Sequence, residues 1–200
     1  YMENTPEYLY AVLGAGLSNS VLFAVNTGFR GDTLVKVVQR ATITHLIVNE
    51  VTAAEVKRRG NELSPSGSMT VLYAGGEDEA GREGFLPLES ALAEAGTKPE
   101  RRHQVPVDNF SPVIVIYTSG TTGAPKGVPC THIKLVGAGF VVKSDTGLTR
   151  NDRGYISMPL FHSNAWYIGI LPQLINGGSF VLRRRFSARA FEEDMLAYGV

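Results

Sequence analysis

Apolar residues in this chain fall into short continuous runs that alternate with stripes at helical spacing. Asn4-Thr5-Pro6-Glu7 offers an N-cap, an early proline and an acid in the first turn, and Leu9, Val12, Leu13 and Gly16 then follow helical spacing. Val21-Leu22-Phe23-Ala24-Val25 is a continuous apolar run, the pattern of a strand buried on both faces. After Asn26-Thr27-Gly28 turns the chain, Asp32 is expected to cap a helix carrying Leu34, Val37, Val38 and Ala41. His45-Leu46-Ile47-Val48 and Met69-Thr70-Val71-Leu72-Tyr73 predict two further strands. Between them, Thr52-Ala53-Ala54-Glu55 has the form of a capping box opening a short helix that ends near Gly60.

Residues 75–84, rich in acids and glycines, predict an exposed loop, and a helix follows near residues 88–95. Past a Pro- and Arg-bearing connector, Pro112-Val113-Ile114-Val115-Ile116 reads as a buried strand, and residues 132–143 as a helix on the sheet. Residues 152–158 return as a strand, Phe180-Val181-Leu182 as another, and Ser187 caps a helix carrying Phe191, Met195 and Leu196. Strands alternating with helices at this spacing predict an α/β fold, with largely parallel sheets flanked by helices. The one composition shift divides the chain into a first α/β portion (1–95), a connector (96–112) and a second portion (113–200).

Composition narrows the classes. Lys+Arg and Asp+Glu each number 19, so no net charge points to nucleic acid or an acidic membrane. Cys130 is the single cysteine, which excludes an internal disulfide framework and suits a cytoplasmic protein. It reads as a small buried hydrophobe. Glu3 and Glu7 stand where a signal peptide would be basic. The uncharged stretches 8–29 and 160–182 contain several Gly, Asn and Ser, and fit buried units better than membrane spans. Nothing opposes a homodimer. Both ends lack the loose polar composition of a natural terminus, so an internal piece of a larger protein is expected.

Chemistry concentrates in Tyr117-Thr118-Ser119-Gly120-Thr121-Thr122-Gly123-Ala124-Pro125-Lys126-Gly127. Glycines admit a ligand close to backbone N–H groups, hydroxyls add rotatable donors, and Lys126 supplies a point charge. A strand opening into such a loop is what a polyphosphate needs. A Gly/Ser/Thr-rich surface turn is the bland alternative, which the density of donors disfavours. The stretch is not the Gly-x-x-x-x-Gly-Lys-Ser/Thr loop with a helix at its Lys. Pro125 and Pro129 argue against a helix and for strand–loop–strand.

Residues 117–128 closely resemble the phosphate-loop signature of the adenylate-forming enzymes, which include acyl-CoA synthetases, peptide-synthetase adenylation domains and luciferases. A second stretch, Met158-Pro159-Leu160-Phe161-His162-Ser163-Asn164-Ala165-Trp166, resembles the family's Pro-Leu/Met-Phe-His segment. Alone, a His beside Phe and a single Trp are more often packing. The expected strand-to-helix junction, where α/β sheets collect ligands, and the resemblance both shift that weighting. By resemblance, Thr118, Ser119, Gly120, Thr121, Thr122, Gly123 and Lys126 hold the ATP phosphates, with Thr118 also reaching Mg²⁺. His162 is implied near the acyl carboxylate and α-phosphate, Ser163 and Asn164 beside it. The Asn-Ala-Trp continuation is similar to bacterial fatty acyl-CoA synthetases, in which the Trp gates an acyl tunnel, a role implied for Trp166. Arg183-Arg184-Arg185 reads as a solvated face; a dock for the CoA 3′-phosphate is the rarer alternative.

The resemblance implies ATP-dependent activation of a carboxylic acid, of the fatty class, and its transfer to CoA, with Lys126 and His162 as the catalytic side chains. The family's Tyr-Gly-x-Thr-Glu, its later Thr-Gly-Asp and its C-terminal domain with the adenylation Lys do not occur in residues 1–200. An aryl- or amino-acid adenylating relative and a catalytically silent nucleotide-binding module are the alternatives.

Overall fold

A computed structural model describes residues 1–96, 106–118 and 124–200. The chain divides into two compact units, one of residues 1–2, 25–104 and 118–126, the other of 3–24, 105–117 and 127–200. The elements are α1 Pro6–Leu17, β1 Leu22–Ala24, α2 Gly31–Ala41, β2 His45–Val48, α3 Ala53–Leu63, β3 Thr70–Tyr73, α4 Glu77–Glu83, β4 Leu86–Pro87, α5 Leu88–Ala95, β5 Pro112–Thr118 and β6 Lys126–Thr131. After these come α6 His132–Thr146, β7 Arg153–Ile156, a π-helical turn Ala165–Ile170, α7 Leu171–Asn176, β8 Ser179–Leu182 and α8 Ala188–Tyr198.

In the first unit β2, β3 and β4 form a parallel sheet, with Leu46 opposite Val71 and Val48 opposite Tyr73. The α2 residues Leu34, Val37 and Val38 are buried, as the helical spacing predicts, and so are Val56 and Leu63 of α3. The caps differ from expectation. Asp32 lies inside α2, whose first N–H, from Gly31, is accepted by the Glu55 carboxylate at 2.8 Å. That bond holds the Glu55 carboxyl below the usual carboxylate range, with Arg58 assisting at 3.2 Å. The Thr52–Glu55 box therefore does not close on itself. Thr52, fully buried, donates instead to the Tyr1 carbonyl at 2.6 Å, and α3 runs past Gly60 to Leu63.

Residues 75–84 form no open loop: Glu77–Glu83 is the helix α4. Gly76 stands before it and Gly84 closes it at φ 73°, while Gly81 is carried inside it. Glu77, Asp78 and Glu79 crowd the first turn, where the helix dipole favours anions, and Ala80 is buried. The flanking Gly76 and Gly84 and the acids of the first turn mark a helix start and stop rather than the absence of a helix.

In the second unit β1 pairs in parallel with β5, Phe23 opposite Val115, and β6 lies next to β5 at the sheet edge. β7 and β8 form a parallel pair, Tyr155 opposite Val181. Ser187 caps α8 by accepting from the Ala190 N–H. Asp194 of α8, buried, accepts from the Tyr155 hydroxyl at 2.7 Å and pairs with Arg183 at 3.0 Å. Arg184 reaches Glu3 at 3.8 Å, so two members of the arginine run are paired. Phe191 stays largely exposed but sets its ring edge-on to Tyr155 at 5.2 Å. No helix among the described residues is long and apolar enough to cross a membrane.

At Gly139, α6 packs against α7 without room for a side chain. A Cβ there would stand 2.5 Å from Ile175 Cδ1, 3.0 Å from Leu171 Cβ and 3.2 Å from the Leu171 carbonyl carbon. The Ile tip can turn aside, but the Leu171 backbone cannot. Gly139→Val is expected to destabilise the fold by about 1–3 kcal/mol, the usual cost of overpacking. Denaturant unfolding beside Gly137→Ala, where a Cβ meets nothing within 4 Å, checks this.

Candidate functional site

Strand β5 buries Val113, Ile114 and Ile116 and delivers Thr118, exposed, at its end. Lys126, also exposed, opens β6. The sequence thus folds as strand–loop–strand, as the two prolines required. Ser119, Gly120, Thr121, Thr122 and Gly123 lie outside the described residues. On its two sides the Thr118 hydroxyl meets the Lys126 carbonyl at 3.5 Å. Gly127 permits close stacking of β6 on β5, since a Cβ there would sit 2.8 Å from Val115 Cγ1 and 3.4 Å from the Tyr117 ring. Burial pushes the Tyr117 phenol up. Pro129, which cannot donate to a ladder, is tolerated because β6 is an edge strand.

The second stretch leaves β7 as a turn. Its peptide at Leu160 is gripped on both sides: the N–H donates to Asn4 Oδ1 at 2.7 Å, and the carbonyl accepts from the Trp166 indole at 2.7 Å. Asn4 Nδ2 donates to the carbonyls of Met158 and Arg183, at 2.9 and 3.0 Å. The His162 N–H closes the turn on the Pro159 carbonyl at 2.9 Å. Phe161 is buried with its ring 4.7 Å from the imidazole, which is itself exposed. Asn164 is exposed and Ser163 half-buried, so the polar side chains of the segment face outward. Trp166 is only 2% exposed, inside the π-helical turn. Pro172 cannot donate to the carbonyl one turn back, which interrupts the regular α-ladder where the wide turn passes into α7.

Two residues that organise this region carried no local signal. Asn4 reads locally as an N-cap, yet the cap position of α1 falls on Thr5 and the Asn4 amide is spent on partners 154 to 179 residues away. Tyr167 donates its hydroxyl to Cys130 Sγ at 3.0 Å, and burial pushes that phenol up. Cys130 is 2% exposed, so the small buried hydrophobe expected in β6 is also bonded. Among the described residues, no group of three or more His, Cys, Asp or Glu side chains could hold a metal ion.

The family model of the AMP-binding enzymes matches residues 1–200. The chain belongs to that family. It is 31% identical over 198 residues to a medium/long-chain-fatty-acid–CoA ligase of Mycobacterium marinum, covering 99% of this chain and 35% of that protein. It is 32% identical to a steroid-22-oyl-CoA synthetase of Rhodococcus jostii, over 99% of this chain and 33% of that one. The apo structure of MbtA from Mycobacterium smegmatis superposes with a TM-score of 0.84 at 24% identity, over 100% of this chain and 36% of that chain. The chain therefore spans about a third of the length of the curated relatives it matches. Its α/β fold of parallel strands flanked by helices is that of the N-terminal domain of adenylate-forming enzymes.

Proposed function

We propose that residues 1–200 are the phosphate-binding and acid-side part of a fatty acyl-CoA synthetase, within a single AMP-binding domain (portions 1–95 and 113–200 about a connector at 96–112). The observation that carries this reading is the strand–loop–strand unit opening on Lys126, in a chain matched along its whole length by the family. The names of its fatty-acid–CoA ligase relatives support the acid class.

In this reading a carboxylate oxygen of the acid bonds to the α-phosphorus of ATP, while the bond to the bridging oxygen breaks and pyrophosphate leaves. The CoA sulfur, its proton lost to solvent, then bonds to the acyl carbon and AMP departs. Thr118, Ser119, Gly120, Thr121, Thr122 and Gly123 supply hydroxyl and N–H donors to the β- and γ-phosphates. Lys126 adds a positioned charge that is worth most as negative charge builds on the leaving pyrophosphate. His162, with Ser163 and Asn164, orients the acid carboxylate, and Trp166 closes the acyl tunnel. The protein oxygen offered to Mg²⁺ is the Thr118 hydroxyl, which leaves most of its ligands to phosphate and water, the usual pattern at nucleotide sites. When bound, Mg²⁺ neutralises phosphate charge. We place the enzyme in the cytoplasm, with no nucleic-acid partner.

The test uses the full-length protein that bears these residues, supplied with Mg²⁺-ATP, CoA and octanoate. Pyrophosphate release that depends on octanoate supports the reading. Release with salicylate or an amino acid alone, or ATP binding without release, overturns it in favour of an aryl- or amino-acid relative or of a silent nucleotide-binding module. Residues 1–200 alone are expected to release none, because the adenine, ribose and adenylation-Lys segments implied by the resemblance are not among them.

A further inference from the structure

We infer that Asn4 is a positioning residue for the turn that presents His162, an inference that rests on the acid-side role proposed above. The Asn4 side chain is 4% exposed and makes three hydrogen bonds. Both amide hydrogens go to carbonyls, of Met158 and Arg183, and the oxygen takes the Leu160 N–H. These contacts straddle Pro159, whose ring nitrogen has no hydrogen to anchor the backbone itself.

Its place in the fold gives the side chain leverage. Met158 follows β7 and Arg183 follows β8, and the Arg183 N–H also donates to the Ile156 carbonyl at 2.8 Å. Asn4 therefore ties together the two chains leaving the carboxyl ends of a parallel strand pair, the end at which α/β sheets collect ligands. Trp166 donates to the Leu160 carbonyl from the other side, so the two peptides flanking Leu160 are both held, one by its N–H and the other by its carbonyl. His162 stands two residues on, its own N–H folded back on Pro159. The grip needs donors and an acceptor on one short side chain. Asp would turn a second acceptor toward two carbonyls, Leu would offer nothing, and Ser is too short to reach all three.

The experiment compares Asn4→Ala and Asn4→Asp with wild type in the full-length protein, reading hydrogen exchange and kinetics below the melting temperature. Backbone amides of residues 158–162 are expected to exchange about tenfold faster in the variants, with those of β2 unchanged. Octanoate kcat/KM is expected to fall about a hundredfold, the scale of an ångström-level misplacement, while KM for ATP stays within about threefold. Adding Asn4→Asp to His162→Ala should slow the enzyme by no more than about threefold further, because both act on the same turn. Where Asn4→Ala does not fold, Asn4→Asp, which keeps the acceptor for Leu160, carries the test. Unchanged exchange at 158–162 overturns the inference. So does faster exchange with unchanged octanoate kinetics, which would reduce Asn4 to a structural tie. If wild type shows no acid-dependent release, the functional reading falls, and the exchange arm alone decides whether Asn4 holds the turn.

Discussion

Replacing Lys126 by alanine in the full-length protein is expected to lower octanoate-dependent pyrophosphate release by about 10²–10³-fold, the loss typical when one positioned donor is removed from developing charge, about 2.7–4 kcal/mol. Lys126 is the single cation in residues 117–127. It is exposed at the first residue of β6, and its carbonyl faces the Thr118 hydroxyl across the loop. An exposed lysine outside any core contributes little to folding, so stability should stay within about 0.5 kcal/mol of wild type. That contrast separates chemistry from scaffolding. KM for octanoate should change little, because the role proposed for Lys126 sets its charge against phosphate rather than acid. Lys126→Arg retains the charge but presents a planar fork in place of a compact ammonium, so partial recovery is expected. Unchanged release in Lys126→Ala would remove Lys126 from the mechanism.

How far the sequence foretold this structure depends on how far away each residue's partners lie. β2 was legible in full because a buried parallel strand is a local apolar run, and the helix expected near 88–95 is α5, Leu88–Ala95. Strand–loop–strand around the phosphate loop was legible from two prolines. The misses share one cause. Asn4, Asp32, Thr52 and Glu55 are capping residue types, and short-range logic assigned them to their own helices. Three of the four instead bond across the fold: Asn4 to the turn before His162, Thr52 to Tyr1, and Glu55 to the start of α2. α4 was missed because its composition resembled a loop while the order of its residues, glycine, acids, buried alanine, glycine, was that of a capped helix. The π-helical turn has no sequence signature beyond Pro172, and its consequence for Trp166 emerges only in three dimensions. For the candidate site residues, sequence could name the side chains but not the contacts that support them.

Trp166 is where a functional role and a packing role must be told apart, and the structure sets the expected size of the second. The indole is 2% exposed, and its N–H donates to the Leu160 carbonyl at 2.7 Å. Trp166→Ala in the full-length protein is therefore expected to cost about 3–5 kcal/mol of stability, as large-to-small core changes do. Leaving the buried Leu160 carbonyl without its donor should place the loss toward the upper end, since an unsatisfied buried group costs about 1–3 kcal/mol by itself. Trp166→Phe keeps a six-membered ring but loses the N–H and the rest of the indole, so its loss, set beside that of Trp166→Ala, sets an upper bound on the hydrogen bond's share. Denaturant midpoints for the three proteins measure both. The gate proposed for this side chain makes a separate demand. It must swing out of the π-helical turn and give up the bond to Leu160, and shortening it should then change which acyl lengths are accepted. Relative kcat/KM for octanoate, laurate and palmitate, measured on folded Trp166→Ala well below its midpoint, reads that demand directly. A profile shifted toward the longer acids, with KM for ATP unchanged, supports the gate. An unshifted profile beside a large fall in stability assigns Trp166 to holding the His162 turn from below.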